Sequence, residues 1–334
     1  MIENSFFKIP NIKNVVFLGE NSILKNLIEI TKKNKLNYEV ITSPDQSKLI
    51  DKEVKFKIFK KLDIGFENYI KKKYKIEETL FISIRSRWIF NKKMIDNFFK
   101  NNLINYHPSR LPLDAGAGGF SWQIMRGDRI NNQVFHIVDK NIDGGPIIQR
   151  EQFIFPKTCK LPKDYFEFCF IKFAIFYENF LKKIINNESL KIENQMENLS
   201  RYCPRLNTDI NGWIDWGMSS LDLYRFINAF DDPYNGVSTM LNNTRVRIKK
   251  AHLHGGDSSN HPFMSGIISR HDTKWIVVST TDKHMLLIEE IIDKKGKNII
   301  KSLKVGDRFF TSFNELDNAK KIRPRVNENG FVKV

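Results

Sequence analysis

Cysteine is scarce: Cys159, Cys169 and Cys203 are the only three in 334 residues, and none stands in a CxxC pair. An odd count without paired spacing gives no disulfide framework and suits a reducing cytoplasm. No run of about 18 apolar residues occurs, so no membrane-spanning helix is expected. The opening residues, MIENSFFKIPNIKN, lack a basic stretch followed by an apolar one, and no secretory signal is expected there. Glycine is missing where a dinucleotide would need it. The first apolar run, Val15 to Gly19, ends on one glycine with no GxGxxG, which argues against a phosphate cradle at that turn.

What is present suits two packed domains. Hydrophobic residues make up 41% of the chain and include 27 phenylalanines, enough for sizeable cores. The net charge of +16 raises a nucleic-acid reading. The charge is spread along the chain, however, and runs such as Lys32-Lys33 and Lys71-Lys72-Lys73 look like solvated helix faces. Anionic substrates, nucleotides included, fit either reading.

Along the chain, Val15–Gly19 reads as a buried strand, then a helix capped by Asn21 or Ser22 carries Ile23, Leu24, Leu27, Ile28 and Ile30. Tyr38–Thr42 and Thr79–Ile84 read as strands, with helices over 58–74 and 92–99. This alternation predicts a doubly wound α/β domain, with ligands outside the carboxyl ends of its strands. The ends at Ile84, Asn105 and Val138 are expected on that side. Tyr165, Phe166, Phe168, Phe170, Phe173, Phe176 and Phe180 mark a long helix packed on the sheet. Residues 186–200 read as a polar connector, and Ser219 and Ser220 as caps of a helix over 221–230. Short strands then predict a small β-barrel, with a hairpin turn at Asn242-Asn243.

The stretch with the most chemistry is NYHPSRLPLDAGAGGFSWQIMRGDRINNQVFHIVDKNIDGGP, residues 105–146. If Leu103–His107 is a strand, alternation puts Asn105 and His107 on one face, with Asp143 on a tight turn 38 residues beyond Asn105. An amide, an imidazole and a carboxylate suit acyl transfer to an amine. Each residue also has an ordinary structural explanation. A histidine can close a strand, Asp-Gly-Gly is common turn chemistry, and an asparagine can satisfy strand-end backbone.

Taken together, NxHPS at Asn105–Ser109, Leu111-Pro112 and Ile142-Asp143-Gly144-Gly145-Pro146 resemble the folate-dependent formyltransferase family. The resemblance covers roughly residues 14–185. Gly212-Trp213-Ile214-Asp215-Trp216 and Asp231–Gly236 are similar to the linker and the start of that family's C-terminal domain. It implies a Rossmann-like catalytic domain over 1–187, a linker over 188–212 and an OB-like, β-barrel-like domain over 213–334. It also implies N10-formyltetrahydrofolate as co-substrate, no metal, and a homodimer in the cytoplasm.

Asn105, His107 and Asp143 take the positions of the family's catalytic trio. Asn105 and His107 would hold a tetrahedral oxyanion, each donor worth about 3 kcal/mol. Asp143 would keep the imidazole charged or correctly oriented, or relay protons through water. By analogy, folate lies against Trp88, Ile89, Phe90, Ile137, Val138, Asp139 and Ile142. Ser109, Arg110, Gly116, Gly118 and Gly119 would face the acceptor. Many relatives carry an arginine where this chain has Ala115, a place for which Arg110 and Arg126 are the candidate substitutes.

His252-x-His254 with His261 has the residue types of a zinc site but no fourth ligand, and it reads as an exposed polar loop. Residues 43–51 are short and mixed in charge, unlike the basic insertion of methionyl-tRNA formyltransferases, and Gly119-Phe120-Ser121-Trp122 resembles surface-glycan enzymes. The expected acceptor is therefore an amino-sugar nucleotide, such as a dTDP-4-amino-4,6-dideoxyhexose. Methionyl-tRNA is the alternative, and a non-catalytic folate- or nucleotide-binding module is an alternative of another class.

Overall fold

The computed structural model of the chain describes residues 6–20, 22–117, 119–256, 259–327 and 330–332. Asn21 and Gly118, both named above, lie outside the described residues. The first half is built from β1 (Asn14–Gly19), α1 (Leu24–Lys33), β2 (Asn37–Thr42), β3 (Lys57–Ile58), α2 (Ile64–Lys73), β4 (Thr79–Ile84) and β5 (Leu103–His107). There follow β6 (Asp114–Gly116), α3 (Gly119–Arg126), β7 (Ile130–Ile137), β8 (Ile147–Ile154) and α4 (Pro162–Ile185). The seven-stranded sheet runs β3-β2-β1-β4-β5-β7-β8. Every residue of β1 and β4 is buried, because helices cover both faces of this parallel part.

Three local expectations change. The helix foreseen over 58–74 begins only at Ile64, and Ile58 belongs to β3. The helix foreseen over 92–99 is wound as a π-helix over Met94–Phe99. Helix α1 starts after Ile23, which supplies no side-chain cap, so Ser22 does not act as one.

The direction of β7 alters the site. The first five strands of the sheet are parallel, but β7 runs antiparallel to β5, pairing Asn105 with His136 and Ile104 with Ile137. Its carboxyl end therefore lies beside the amino end of β5, where the Val138 amide donates to Leu103 O at 3.0 Å. Val138 does not share the ligand edge with Ile84 and Asn105. Periodicity marks a strand without giving its direction.

Helix α4 joins two cores. Phe173, Phe176, Tyr177 and Phe180 pack under the α/β sheet with Phe17 and Phe135. Tyr165 and Cys169 join Phe120 and Phe155 in the core of the C-terminal sheet. The helix begins at Pro162, and Asp164 Oδ2 accepts the Lys160 and Leu161 amides at 2.8 and 2.9 Å.

Beyond α4 come β9 (Arg201–Cys203), α5 (Ser220–Ala229), β10 (Val237–Leu241), β11 (Thr244–Gly255), β12 (Ile268–His271), β13 (Ile276–Val278), β14 (His284–Ile292) and β15 (Phe309–Phe310). Ser219 Oγ caps α5 by accepting the Asp222 amide. Asn242 and Asn243 both have positive φ, 47° and 61°, as a two-residue type I′ hairpin requires. The six strands run β12-β13-β14-β11-β10-β15. The Phe309 amide donates to Gly266 O and the Ile268 amide to Asp307 O, each at 2.8 Å, so the sheet curls back on its first strand.

Candidate active site

Three segments bring the polar side chains together. β5 presents Asn105 and His107 on one face, as alternation predicts. β7 contributes His136 directly opposite Asn105. The turn after β7 folds back over that face and delivers Asp143, whose Oδ1 lies 3.6 Å from His107 Nδ1 and 3.9 Å from His136 Nε2. Asp143 Oδ2 accepts the Gly116 amide at 3.2 Å. His107 Nε2, the nitrogen turned away from Asp143, is buried and has no hydrogen-bond partner among the described residues.

His136 was not anticipated. It is buried, and its Nδ1 meets Ile137 O at 3.0 Å, a partner that can only accept. The ring proton therefore sits on Nδ1. Burial holds His136 below the usual histidine range. Asp143 opposes that shift and His107 adds to it, leaving a neutral ring at pH 7. Its Nε2 must then accept, and Asn105 Nδ2 donates to it at 3.1 Å. This fixes the Asn105 amide with one hydrogen on His136 and a second still free to donate. The signal in the sequence was a lone polar residue within the apolar run Val134 to Val138.

Glycine matters at two points of this architecture. Gly116 has φ +98°, and a Cβ there would meet Cys203 O at 2.6 Å. A Cβ on Gly145 would meet Ile137 O at 1.8 Å, so the turn carrying Asp143 can lie against β7 only as glycine.

The expected folate positions divide. Trp88 is buried in the core with Phe81 and Phe99, although its Nε1 is buried without a hydrogen-bond partner among the described residues. Ile89 and Ile142 are exposed, and Phe90 and Val138 are half-buried against the same core as Trp88. Asp139 Oδ1 accepts the Asn141 amide at 2.8 Å. The Ile137 side chain packs in the core under α4, so only its backbone could line a folate slot.

Several of the expected acceptor side chains are engaged within the protein. Ser109 Oγ is buried, donating to Asp114 O at 2.7 Å. Arg110 is held by Asp114 at 2.8 Å and by Asp128, while Arg126 reaches Asp114 Oδ1 at 3.1 Å. Arg110 is thus committed to two carboxylates, whereas Arg126 Nε is buried without a hydrogen-bond partner among the described residues. Gly116 approaches the protein's own backbone, whereas Gly119 opens α3 with nothing near its Cβ position. His252 and His254 lie in β11 rather than a loop, with His252 Nε2 3.6 Å from Glu289. His261 Nδ1 accepts the Phe263 amide.

Arg201 joins Arg110 and Arg126 on the buried Asp114 carboxylate, at 2.8 Å. Burial pushes that carboxyl up, but hydrogen bonds from Arg201 and Arg110 outweigh it and leave it below the usual range. A depressed carboxyl contributes stability above its unfolded pKa and loses it as pH falls through the folded one. Asp114→Ala leaves Arg126 and Arg201 without their carboxylate, while Arg110 keeps Asp128, and is expected to cost about 3 kcal/mol, the lower end for a broken buried pair because Arg201 is half exposed. Urea unfolding at pH 7 checks this, and an unchanged midpoint would remove the cluster from the stability account.

Residues 13–159 match the formyl transferase family, and residues 208–305 match the formyl transferase C-terminal domain. The chain belongs to the formyl transferase family. Methionyl-tRNA formyltransferase of Clostridium perfringens is 25% identical over 224 residues, covering 67% of this chain and 70% of that protein. WlaRD, a sugar 3N-formyl transferase crystallised with dTDP and 5-N-formyl-THF, superposes with a TM-score of 0.63 at 22% identity. It covers 84% of this chain and 97% of its own. The N-formyltransferase of Helicobacter canadensis, in complex with folinic acid and dTDP-3-aminofucose, gives a TM-score of 0.61 at 21% identity. That match covers 83% of this chain and 99% of the other. As a formyltransferase this chain is a one-carbon transferase, and its curled C-terminal sheet is the fold of the family's second domain.

Proposed function

We propose that this formyltransferase formylates the amine of a sugar nucleotide, such as a dTDP-4-amino-4,6-dideoxyhexose, in surface-glycan biosynthesis. The observation that carries the choice of acceptor is the segment after β2. It is short, and it lies against the sheet instead of projecting as a basic arm. Gln46 Nε2 donates to Arg85 O at 2.8 Å, and Asp45 pairs with Arg87 at 3.2 Å. Arg85, Arg87 and Arg205 gather near this edge. Burial, with the charges of Arg87 and Arg85, pulls Arg205 below the usual arginine range, which suits an anionic acceptor.

N10-formyltetrahydrofolate supplies an activated formyl group, which becomes a formamide on the acceptor nitrogen as tetrahydrofolate leaves. The buried Trp88 Nε1, without a partner among the described residues, and exposed Ile89 and Ile142 fit a flat heterocycle bearing a polar edge, which leaves His107 Nε2, likewise unpartnered among them, for the formyl group. Trp88, Ile89, Phe90, Val138, Asp139 and Ile142 would hold it. The free hydrogen of Asn105 and His107 Nε2 stabilise charge on the formyl oxygen. Asp143 takes the proton that the attacking amine loses and returns it to the departing nitrogen, directly or through water. Residues 1–187 carry this chemistry, 188–212 connect, and 213–334 form the accessory unit.

The second reading is transfer to methionyl-tRNA, favoured by relatives such as the Clostridium perfringens enzyme and by the charge of +16. Purified protein with 10-formyltetrahydrofolate is expected to release tetrahydrofolate with one member of a panel of dTDP- and UDP-amino sugars. Turnover with charged initiator tRNA alone would overturn the sugar assignment and leave formyl transfer standing. If no acceptor supports turnover and His107→Ala leaves folate binding unchanged, a binding module replaces both.

A further inference from the structure

The polar connector between α4 and β9 reaches into the site. Glu193 pairs antiparallel with Ile147, with both backbone hydrogen bonds at 2.8 Å. That register carries Gln195 onto the turn that holds Asp143. Gln195 Nε2 donates to Asp143 O at 2.8 Å and to Gly145 O at 2.6 Å. A primary amide has two N–H groups, and both are spent on this turn.

The turn needs holding. Asp143 sits at φ 56°, a left-handed conformation that L-residues adopt at a cost. From the other side it is tied by the Gly116 amide on its carboxylate. We infer that Gln195 is a positioning residue for Asp143, fixing the peptide from which the carboxylate reaches His107. This rests on the role proposed above for Asp143. The bond from Gln195 is to the backbone carbonyl of the residue whose side chain does the chemistry, so releasing it lets the carboxylate drift. Drift of about 1 Å in a catalytic group can cost about a hundredfold in rate. The connector thus completes the catalytic unit as well as joining it to the C-terminal sheet.

Gln195→Met keeps the length of the side chain and removes both donors. With the acceptor that the wild type uses, kcat is expected to fall at least about tenfold, with KM for the formyl donor within about twofold. Introduced into Asp143→Asn, the same change is expected to cost less than about twofold, because the group it positions is already lost. Circular dichroism and tetrahydrofolate binding report folding. If Gln195→Met does not fold, the cycle is read on Gln195→Glu, which keeps the size and replaces the donors with acceptors. Near-wild-type kcat in the Gln195 variant, or an equal loss in the Asp143→Asn background, overturns the inference. Wild-type turnover by Asp143→Asn alone removes the role of Asp143 and the positioning with it. An inactive Asp143→Asn beside an active Gln195→Met removes the positioning only.

Discussion

Asp143→Asn is expected to lower kcat by at least about a hundredfold, the scale of lost acid–base work, with folate affinity within about twofold of wild type. The substitution is nearly isosteric. A side-chain oxygen is still available to the Gly116 amide, and the carbonyl that Gln195 holds is untouched. What goes is the charge 3.6 Å from His107 Nδ1 and the oxygen that can take and return a proton. An interaction used only while bonds change should lower kcat and kcat/KM together. Steady-state release of tetrahydrofolate and direct folate titration separate the two quantities. Turnover within a few-fold of wild type would take Asp143 out of the mechanism and return it to turn chemistry.

The sequence carried Asn105, His107 and Asp143 because strand alternation and a turn motif are local. β4 and β5 stand at Thr79–Ile84 and Leu103–His107 as read, since each is a short, mainly apolar run. Partners that depend on strand direction were not legible. His136 meets Asn105 only because β7 reverses, 31 residues away in the chain. Gln195 stands in a stretch whose polarity reads as a solvated connector, and its contacts lie 52 and 50 residues back. Arg110 is a case of the opposite kind. A lone arginine beside a catalytic motif invites a ligand, and only the fold shows Asp114 and Asp128 already neutralising it. Positions set by the period of one element were readable, whereas those set by pairing between distant elements were not.

Asn105→Asp is expected to reduce kcat by more than the about 10²–10³-fold that removing one oxyanion donor costs. The neutral His136 ring explains why the exchange is severe. With Nδ1–H committed to Ile137 O, Nε2 can only accept, and Asn105 satisfies it with one amide hydrogen while keeping the other for substrate. A carboxylate offers neither hydrogen and sets two acceptors against each other. Repairing that contact requires a proton on His136, which burial opposes and the new charge favours, so NMR titration should show the histidine binding protons more readily than in wild type. A protonated His136 then faces both Asp143 and the introduced carboxylate, drawing Asp143 away from His107. Asn105→Ala removes the donor without adding charge and should lose less. Turnover within a few-fold of wild type in Asn105→Ala would take the amide donor out of the reaction, and a His136 titration unmoved by Asn105→Asp would take the contact between Asn105 and His136 out of it.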